Sequence, residues 1–284
     1  MKRSVLITGL ARDVCKDIES QILLLEQAFR NFDEIHFLII ESDSMDDTVL
    51  KLKHLQSRQN HFYFISLGNL QTTISNRIER LAFCRDIYMN EIRENATFRN
   101  IDYVCVVDFD LVNDELTAAA IESTFLRNDW CAVFANQAGA YYDIFALRAK
   151  NWSEGNCWES DRILREQGMH PILSQQIAVY SKRRRIMASE SWIPVESAFG
   201  GLGIYKRDCI TDLKYQINGL SDSGVCEHVP FNTTLANRGH KLFINPALVN
   251  FSWNDHNKSE IFLNRTKRGI KFLFLMYQNY LARV

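Results

Sequence analysis

Short runs of β-branched and aliphatic residues alternate, over the first 110 positions, with longer stretches whose apolar residues recur every three to four places. Residues 4–9 (SVLITG) and 36–40 (HFLII) read as strands. The stretch 18–32 between them carries Ile, Leu and Phe at helical spacing, which makes a β-α-β unit. Residues 48–55 predict a second helix and 62–67 a third strand. A longer helix is predicted over 74–92, with Ile78, Leu81, Ala82 and Ile92 on its apolar side, followed by a buried strand at 103–107 (YVCVV). Strands alternating with helices predict an α/β fold with a mostly parallel sheet covered on both faces. Ligands of such sheets bind beyond the carboxyl ends of the strands, here the loops after Ile7, Ile40 and Val107.

Beyond residue 110 the pattern loosens. Residues 130–135 and 142–147 read as strands, 152–188 as polar and irregular, and 242–250 as a strand again. The tail from 260 carries Ile261, Phe262, Ile270, Leu273, Phe274 and Leu281 together with Arg265, Lys267, Arg268 and Lys271, the pattern of a basic amphipathic helix. Packing on the core is the expected use of that face, with peripheral membrane contact the alternative.

With 284 residues, 46% of them hydrophobic, and no Pro/Gly/Ser-rich linker, the chain is expected to form a single domain. Lys and Arg number 33 against 34 Asp and Glu, so no general electrostatic pull toward nucleic acid exists. No apolar run approaches the roughly 18 residues of a membrane-spanning helix, and the start lacks a signal-peptide pattern. Seven cysteines are scattered without a CxxC pair, which favours reduced, buried thiols over a disulfide frame or a zinc site. A cytoplasmic location is the expectation.

The chemistry-bearing residues gather after the expected strands. Asp108-Phe109-Asp110 is the only Asp-x-Asp in the chain. If the strand direction persists, both carboxylates point one way at the sheet edge and require a cation, with hard oxygen ligands suiting Mn2+ or Mg2+. The loop Glu41-Ser-Asp43-Ser-Met-Asp-Asp-Thr48 holds four acids, more than capping the next helix requires, and can accept from a base or ribose. The helix between the loops presents Arg77 and Arg85 to a diphosphate, with Arg80 expected on its solvent surface. Tyr141, Tyr142 and Asp143 offer stacking faces and an acceptor for a sugar, and Lys182–Arg185 reads as a solvated basic face.

ESDSMDDT and VVDFDLV resemble the nucleotide loop and Asp-x-Asp element of GT-A nucleotide-sugar glycosyltransferases, and RIERLAFCRD is similar to the helix those enzymes place between them. More narrowly, YYDIFALR, ESAFGGLGIYK, CEHVPFN and KLFINPALVN resemble the fungal capsule-associated mannosyltransferases and their bacterial and viral relatives. The resemblance runs from Ser4 to about His256 and is weakest over 152–191. It implies a GT-A type, Rossmann-like single domain with a nucleotide-binding half (1–115), an acceptor-side half (116–257) and a C-terminal helix (258–284). It implies donor binding by Gly9, Arg12, Glu41, Asp43, Arg77, Arg85, Asp108, Phe109 and Asp110, and a metal held by Asp108, Asp110 and His256. Tyr142, Asp143, Gly200, Gly201, Glu227 and His228 fall on the acceptor side, with Glu227 as catalytic residue. Asp47 stands where the family commonly has glycine. His228 is the alternative to His256 as a metal ligand.

The activity so implied is transfer of a sugar from a nucleoside diphosphate, GDP-mannose or a UDP-sugar such as UDP-xylose, to a hydroxyl of an oligosaccharide, glycoprotein or glycolipid. Two alternatives stand beside it. A phosphatase of the haloacid dehalogenase type also places Asp-x-Asp after a buried strand, but needs a downstream acidic pair where this chain has Asp46-Asp47 upstream. A non-catalytic carbohydrate-binding protein would keep the aromatics with no use for the acidic motifs.

Overall fold

The computed structural model describes residues 2–215 and 224–252. Its strands are β1 (Ser4–Ala11), β2 (Glu34–Glu41), β3 (Phe62–Ser66), β4 (Tyr103–Asp108), β5 (Ala132–Gln137), β6 (Ile193–Val195), β7 (Leu202–Lys206) and β8 (Leu242–Phe251). The helices are α1 (Ile18–Ala28), α2 (Thr48–Arg58), α3 (Arg77–Glu94), α4 (Ala118–Ser123), α5 (Cys157–Glu166), α6 (Pro171–Ala178), α7 (Arg207–Ile210) and α8 (His228–Asn237). All eight strands join one sheet in the order β3-β2-β1-β4-β7-β5-β8-β6. Pairing is parallel from β3 through β4 and between β5 and β8; β7 runs antiparallel to both β4 and β5, and β6 antiparallel to β8.

The period of two along each strand decides which helix it meets. Val5, Ile7, Phe37, Ile39, Cys105 and Val107 pack on one face with Ile18, Ile22 and Leu25 of α1 and Leu52 and Leu55 of α2. Leu6, Leu38, Ile40, Val104 and Val106 point to the other face, against Tyr88, Met89 and Ile92 of α3 and Phe231 and Leu235 of α8. Both faces of the central strands are therefore dry, which is why these strands read as unbroken apolar runs. Register aligns their ends: Leu10 lies opposite both Ile40 and Asp108, so the loops after β1, β2 and β4 open at one level.

Three expectations from the pattern are corrected. Residues 142–147 form a turn, not a strand, because the Asp143 carboxylate accepts from the Ala146 N–H at 3.2 Å and closes the chain on itself. The segment 152–188 is not irregular: it holds α5 and α6, begun by the Asn156 side chain on Trp158 N–H and by His170 with Pro171 in the first turn. The α3 helix starts at Arg77 instead of 74, because Asn76 caps it by accepting from the N–H groups of Ile78 and Glu79. The expected C-terminal helix and His256 lie outside the described residues. Among those described, no helix is long and apolar enough to cross a membrane.

Candidate active site

A cleft of about 460 Å³ opens at the carboxyl edge of the sheet. Its walls come from the segment after β1 (Leu10, Ala11, Arg12), the loop after β2 (Ser42, Asp43), one stripe of α3, the end of β4, the 142–145 turn, Phe199, and the start of α8.

The twin aspartates sit where β4 leaves the sheet. Asp108 is its last residue, and its N–H donates to Gly201 O at 3.0 Å. Phe109 turns inward and is 2% exposed, while Asp108 and Asp110 both line the cleft. Leu111 then takes a left-handed φ of 68°, bending the chain away directly after Asp110. Gly9 explains itself here: a Cβ on it would lie 2.2 Å from Val107 O and 2.8 Å from the Phe109 ring. It lets the Phe109 ring lie against β1 and does not itself line the cleft.

Arg77, Arg80, Leu81, Cys84 and Arg85 occupy one face of α3 at i, i+3, i+4, i+7 and i+8, and all five reach the cleft. Arg77 is exposed and close enough to favour the charged form of Asp110. Arg85 is 3% exposed and bridges two acids: its Nε donates to Glu227 Oε1 at 3.0 Å, and its Nη2 lies 3.7 Å from Asp108 Oδ1. Arg80, expected on the surface, is instead buried. Its Nη1 donates to the carbonyls of Ile74 and Ser75, each at 2.7 Å, and its Nε lies 3.6 Å from Asp43 Oδ2. The helical spacing of Arg80 with Arg77 and Arg85 was the signal for its place, and its tie to Asp43 joins α3 to the loop after β2.

The acids of that loop divide their tasks. Glu41 is buried, accepts from Ser44 N–H at 3.1 Å and from the Ser66 hydroxyl, and is absent from the cleft wall. Asp43 takes a left-handed φ of 62°, accepts from Gln71 N–H at 2.8 Å and faces the cleft beside Arg80. Asp46 holds the turn into α2 by accepting from Thr48 N–H, and also accepts from the N–H of Cys15.

Behind the aspartates lies a set of buried amides that no motif announced. Asn113 donates to Asp108 O at 2.8 Å, Asn250 donates to Asn113 Oδ1 at 3.0 Å and to Gly200 O at 2.9 Å, and Gln137 donates to Gly200 O at 3.1 Å. All three are fully buried, so they lock the backbone of the Asp-x-Asp turn to the Gly200-Gly201 turn. Both glycines have positive φ (67° and 85°). A Cβ on Gly201 would stand 2.5 Å from Val112 Cγ2 and 3.2 Å from the Tyr142 hydroxyl. Gly201→Ala is expected to cost at least about 1–2 kcal/mol and to shift the 110–112 segment. Thermal unfolding and Mn2+ calorimetry check this, and an unchanged melting temperature with unchanged affinity would count against that coupling.

The charges are unbalanced. Burial pushes the Asp108 carboxyl up to about 7, opposed by Arg85 and reinforced by Asp110, Glu227 and Asp143. Burial also raises Asp110 and Asp143, the latter accepting from Gly200 N–H at 3.0 Å. Arg85 keeps its Nη1 without a hydrogen-bond partner. Asp108 and Asp110, with Arg85 beside the one and Arg77 near the other, still outnumber their cations once Glu227 and Asp143 are counted, and their carboxylates are the hard oxygen donors that Mg2+ or Mn2+ takes. No three His, Cys, Asp or Glu ligand atoms lie within 4.8 Å of one another in the described cleft. That suits a cation bound by one or two carboxylates and completed by phosphate oxygens and water.

His228 is 2% exposed, stacked on Phe199 with ring centroids 3.9 Å apart, and neither ring nitrogen has a hydrogen-bond partner. Burial, and next the Arg85 charge, hold its pKa well below the ordinary value, so the ring is neutral. Tyr142 and Asp143 line the cleft, whereas Tyr141 is fully buried against Trp152.

An α/β sheet of this order with its cleft at the carboxyl edge is a GT-A type glycosyltransferase fold. The fold is similar to that of the mannosyltransferase PcManGT from Pyrobaculum calidifontis, solved with GDP-Man and Mn2+, at a TM-score of 0.50 and 12% identity. That match covers 88% of this chain and 56% of the other, so this chain spans little more than half the length of that enzyme. Also similar are glucosyl-3-phosphoglycerate synthase from Mycobacterium tuberculosis with UDP (TM-score 0.41, 12% identity, 88% of this chain and 69% of that one) and S. aureus TarS 1–349 (0.44, 12%, 89% and 60%). No protein-family model and no curated protein matches this chain.

Proposed function

We propose that this chain is a metal-dependent glycosyltransferase that moves a sugar from a nucleoside diphosphate to an acceptor hydroxyl. The observation that carries this reading is a single cleft joining the Asp108/Asp110 pair, the exposed Arg77 and the buried Arg85–Glu227 pair. Asp108 and Asp110 would hold a divalent cation, Mn2+ or Mg2+, which when bound neutralises charge on the departing diphosphate. Among the described residues that line the cleft, Arg77 is an exposed guanidinium that can pair with a phosphate oxygen. Arg12 lines the same wall, and Asp43 stands where a nucleoside hydroxyl or base N–H can donate to it. Tyr142, Asp143 and His228 form the acceptor side, with Gly200 and Gly201 behind them. Residues 1–115 then serve the donor and 116–257 the acceptor.

Glu227 lines the cleft and would be the carboxylate that takes the acceptor proton if the anomeric centre inverts; with retention no base is needed. Arg85 orients Glu227 by donating to it at 3.0 Å. The resemblance to the capsule-associated mannosyltransferases supports GDP-mannose as donor, as does the GDP-Man held by the mannosyltransferase of like fold, and a UDP-sugar such as UDP-xylose is the second choice. The same resemblance makes His256 the third metal ligand. Hydrolysis of sugar nucleotides by the protein with Mn2+, across a donor panel, tests the reading; no turnover and no stabilisation by any nucleoside diphosphate would overturn it.

Metal affinity should depend on pH in a stated direction. With the Asp108 carboxyl raised to about 7, a cation must displace a proton below that pH. The Mn2+ dissociation constant is expected to rise about tenfold for each unit below about pH 7 and to level off above it. In the metal-free protein the same shift has the opposite consequence for stability. Its contribution is complete below the ordinary value of 3.8 and is lost as the pH rises through about 7. Calorimetry with Mn2+ across this range checks the first statement, and a flat profile would place the cation elsewhere.

A further inference from the structure

We infer that the opposite edge of the sheet carries a second, unrelated cation site, in which Cys131, Cys209 and His240 bind a thiophilic divalent ion of the Zn2+ class. One ligand atom from each of the three lies within 4.8 Å of the other two, and this is the one such group among the described residues. Tetrahedral Zn2+ with sulfur at about 2.3 Å and nitrogen at about 2.0–2.1 Å sets ligand atoms about 3.5–3.8 Å apart, so small side-chain rotations close the site.

The three residues are far apart in the chain and are brought together by backbone hydrogen bonds, which pre-form the geometry. Cys131 precedes β5; its N–H donates to Lys241 O at 2.8 Å, one residue from His240, and its carbonyl accepts from Lys206 N–H at 2.9 Å, at the start of α7. Cys209 lies in the single turn of α7. His240 follows α8, where Gly239 at φ 84° turns the chain and the His240 N–H donates to Leu235 O at 3.1 Å. No scan of linear spacing finds this group, because its members stand at 131, 209 and 240 with no paired cysteines nearby.

The donor set selects the ion. Two thiolates and an imidazole are the soft and borderline ligands of Zn2+, whereas Mn2+ and Mg2+ take the hard oxygens of the cleft. Two thiolates also cancel the charge of a divalent ion, so the complex can sit beside the buried Cys131 without a counter-ion. Binding releases the thiol protons. Cys131 is buried, Cys209 is half-buried and His240 is exposed, which leaves an entry path and a fourth position for water. A third ligand is what separates this arrangement from two cysteines poised to form a disulfide, which has no use for the imidazole.

The test uses the full chain, reduced and stripped with a chelator, then titrated with Co2+ alone. One equivalent is expected to give a near-ultraviolet thiolate-to-cobalt charge-transfer band that Zn2+ abolishes; carboxylates of the cleft cannot produce it. Cys209→Ser should remove the band, and His240→Ala, at an exposed position that leaves the fold unaffected, should weaken Co2+ binding at least about tenfold. Absence of the band, its survival unchanged in both variants, or a Cys131–Cys209 disulfide that on reduction yields no metal uptake would overturn the inference.

Discussion

Asp110→Ala is expected to abolish Mn2+-dependent sugar-nucleotide turnover, by about 10²- to 10⁴-fold, while the protein stays folded. The carboxylate lies at the exposed end of the Asp-x-Asp turn, so its loss leaves no cavity in the core. The packing of that turn rests on Phe109 and on the Asn113 and Gly201 hydrogen bonds, which alanine at 110 does not touch. The size of the effect follows from the several kcal/mol of charge stabilisation that a bound cation gives a departing diphosphate, at about 1.4 kcal/mol per factor of ten. Asp108→Asn should lose as much activity, since the amide removes the charge while the backbone N–H to Gly201 O remains. Turnover and Mn2+ affinity measured together are decisive: full Mn2+ binding in both variants would place the cation elsewhere in the molecule.

Arg85→Met is expected to have the largest effect on stability, about 3–5 kcal/mol, because it leaves two acids without their shared cation. Arg85 is 3% exposed and holds Glu227 at 3.0 Å and Asp108 at 3.7 Å, with its guanidinium 5.6 Å from the Phe199 ring centroid. Methionine retains most of the stem and removes the charge that favours ionised Asp108, so the Asp108 carboxyl is pushed further up and the buried Glu227 loses its partner. For raised acids the sign is fixed: the folded state favours the protonated forms, so the deficit is greatest at neutral pH and shrinks as pH falls. Thermal unfolding from about pH 5 to 8 should therefore show the variant's melting temperature approaching that of the parent at the acid end. A constant gap would mean that Arg85 acts through ring packing alone. In the same variant Glu227 loses the guanidinium that orients it at 3.0 Å, so turnover falls with stability.

Where the periodicity was strong, the chain declared its own structure. The runs at 4–9, 36–40 and 103–107 are strands because a sheet covered on both faces selects for apolar residues at most positions, and the helix expected over 74–92, which forms over Arg77–Glu94, announced itself by the spacing of Ile78, Leu81, Ala82 and Ile92. The short β6 and β7 strands and the α5–α6 pair were not legible. β7 lies within a glycine motif, and the other elements are short and closed by side-chain caps and neighbours distant in sequence. Residues 142–147 misled for a local reason: an apolar run became a turn once Asp143 bound the N–H groups of Ala146 and Gly200.

The same division holds at the site. Local pattern alone determined the α/β class and the loops at the strand ends, and it singled out Asp108, Asp110, Asp43 and Arg77, because these features depend on residue type and spacing along one element; Glu227 came from the family resemblance. Tertiary structure decided that Arg85 serves carboxylates, that Arg80 is interior, that Glu41 turns from the cleft, and that Asn113, Asn250 and Gln137 brace the Asp-x-Asp turn. It also assembled Cys131, Cys209 and His240. Each of these depends on residues up to 142 positions apart meeting through the sheet, and such distances are set by strand order and register, which no local pattern encodes.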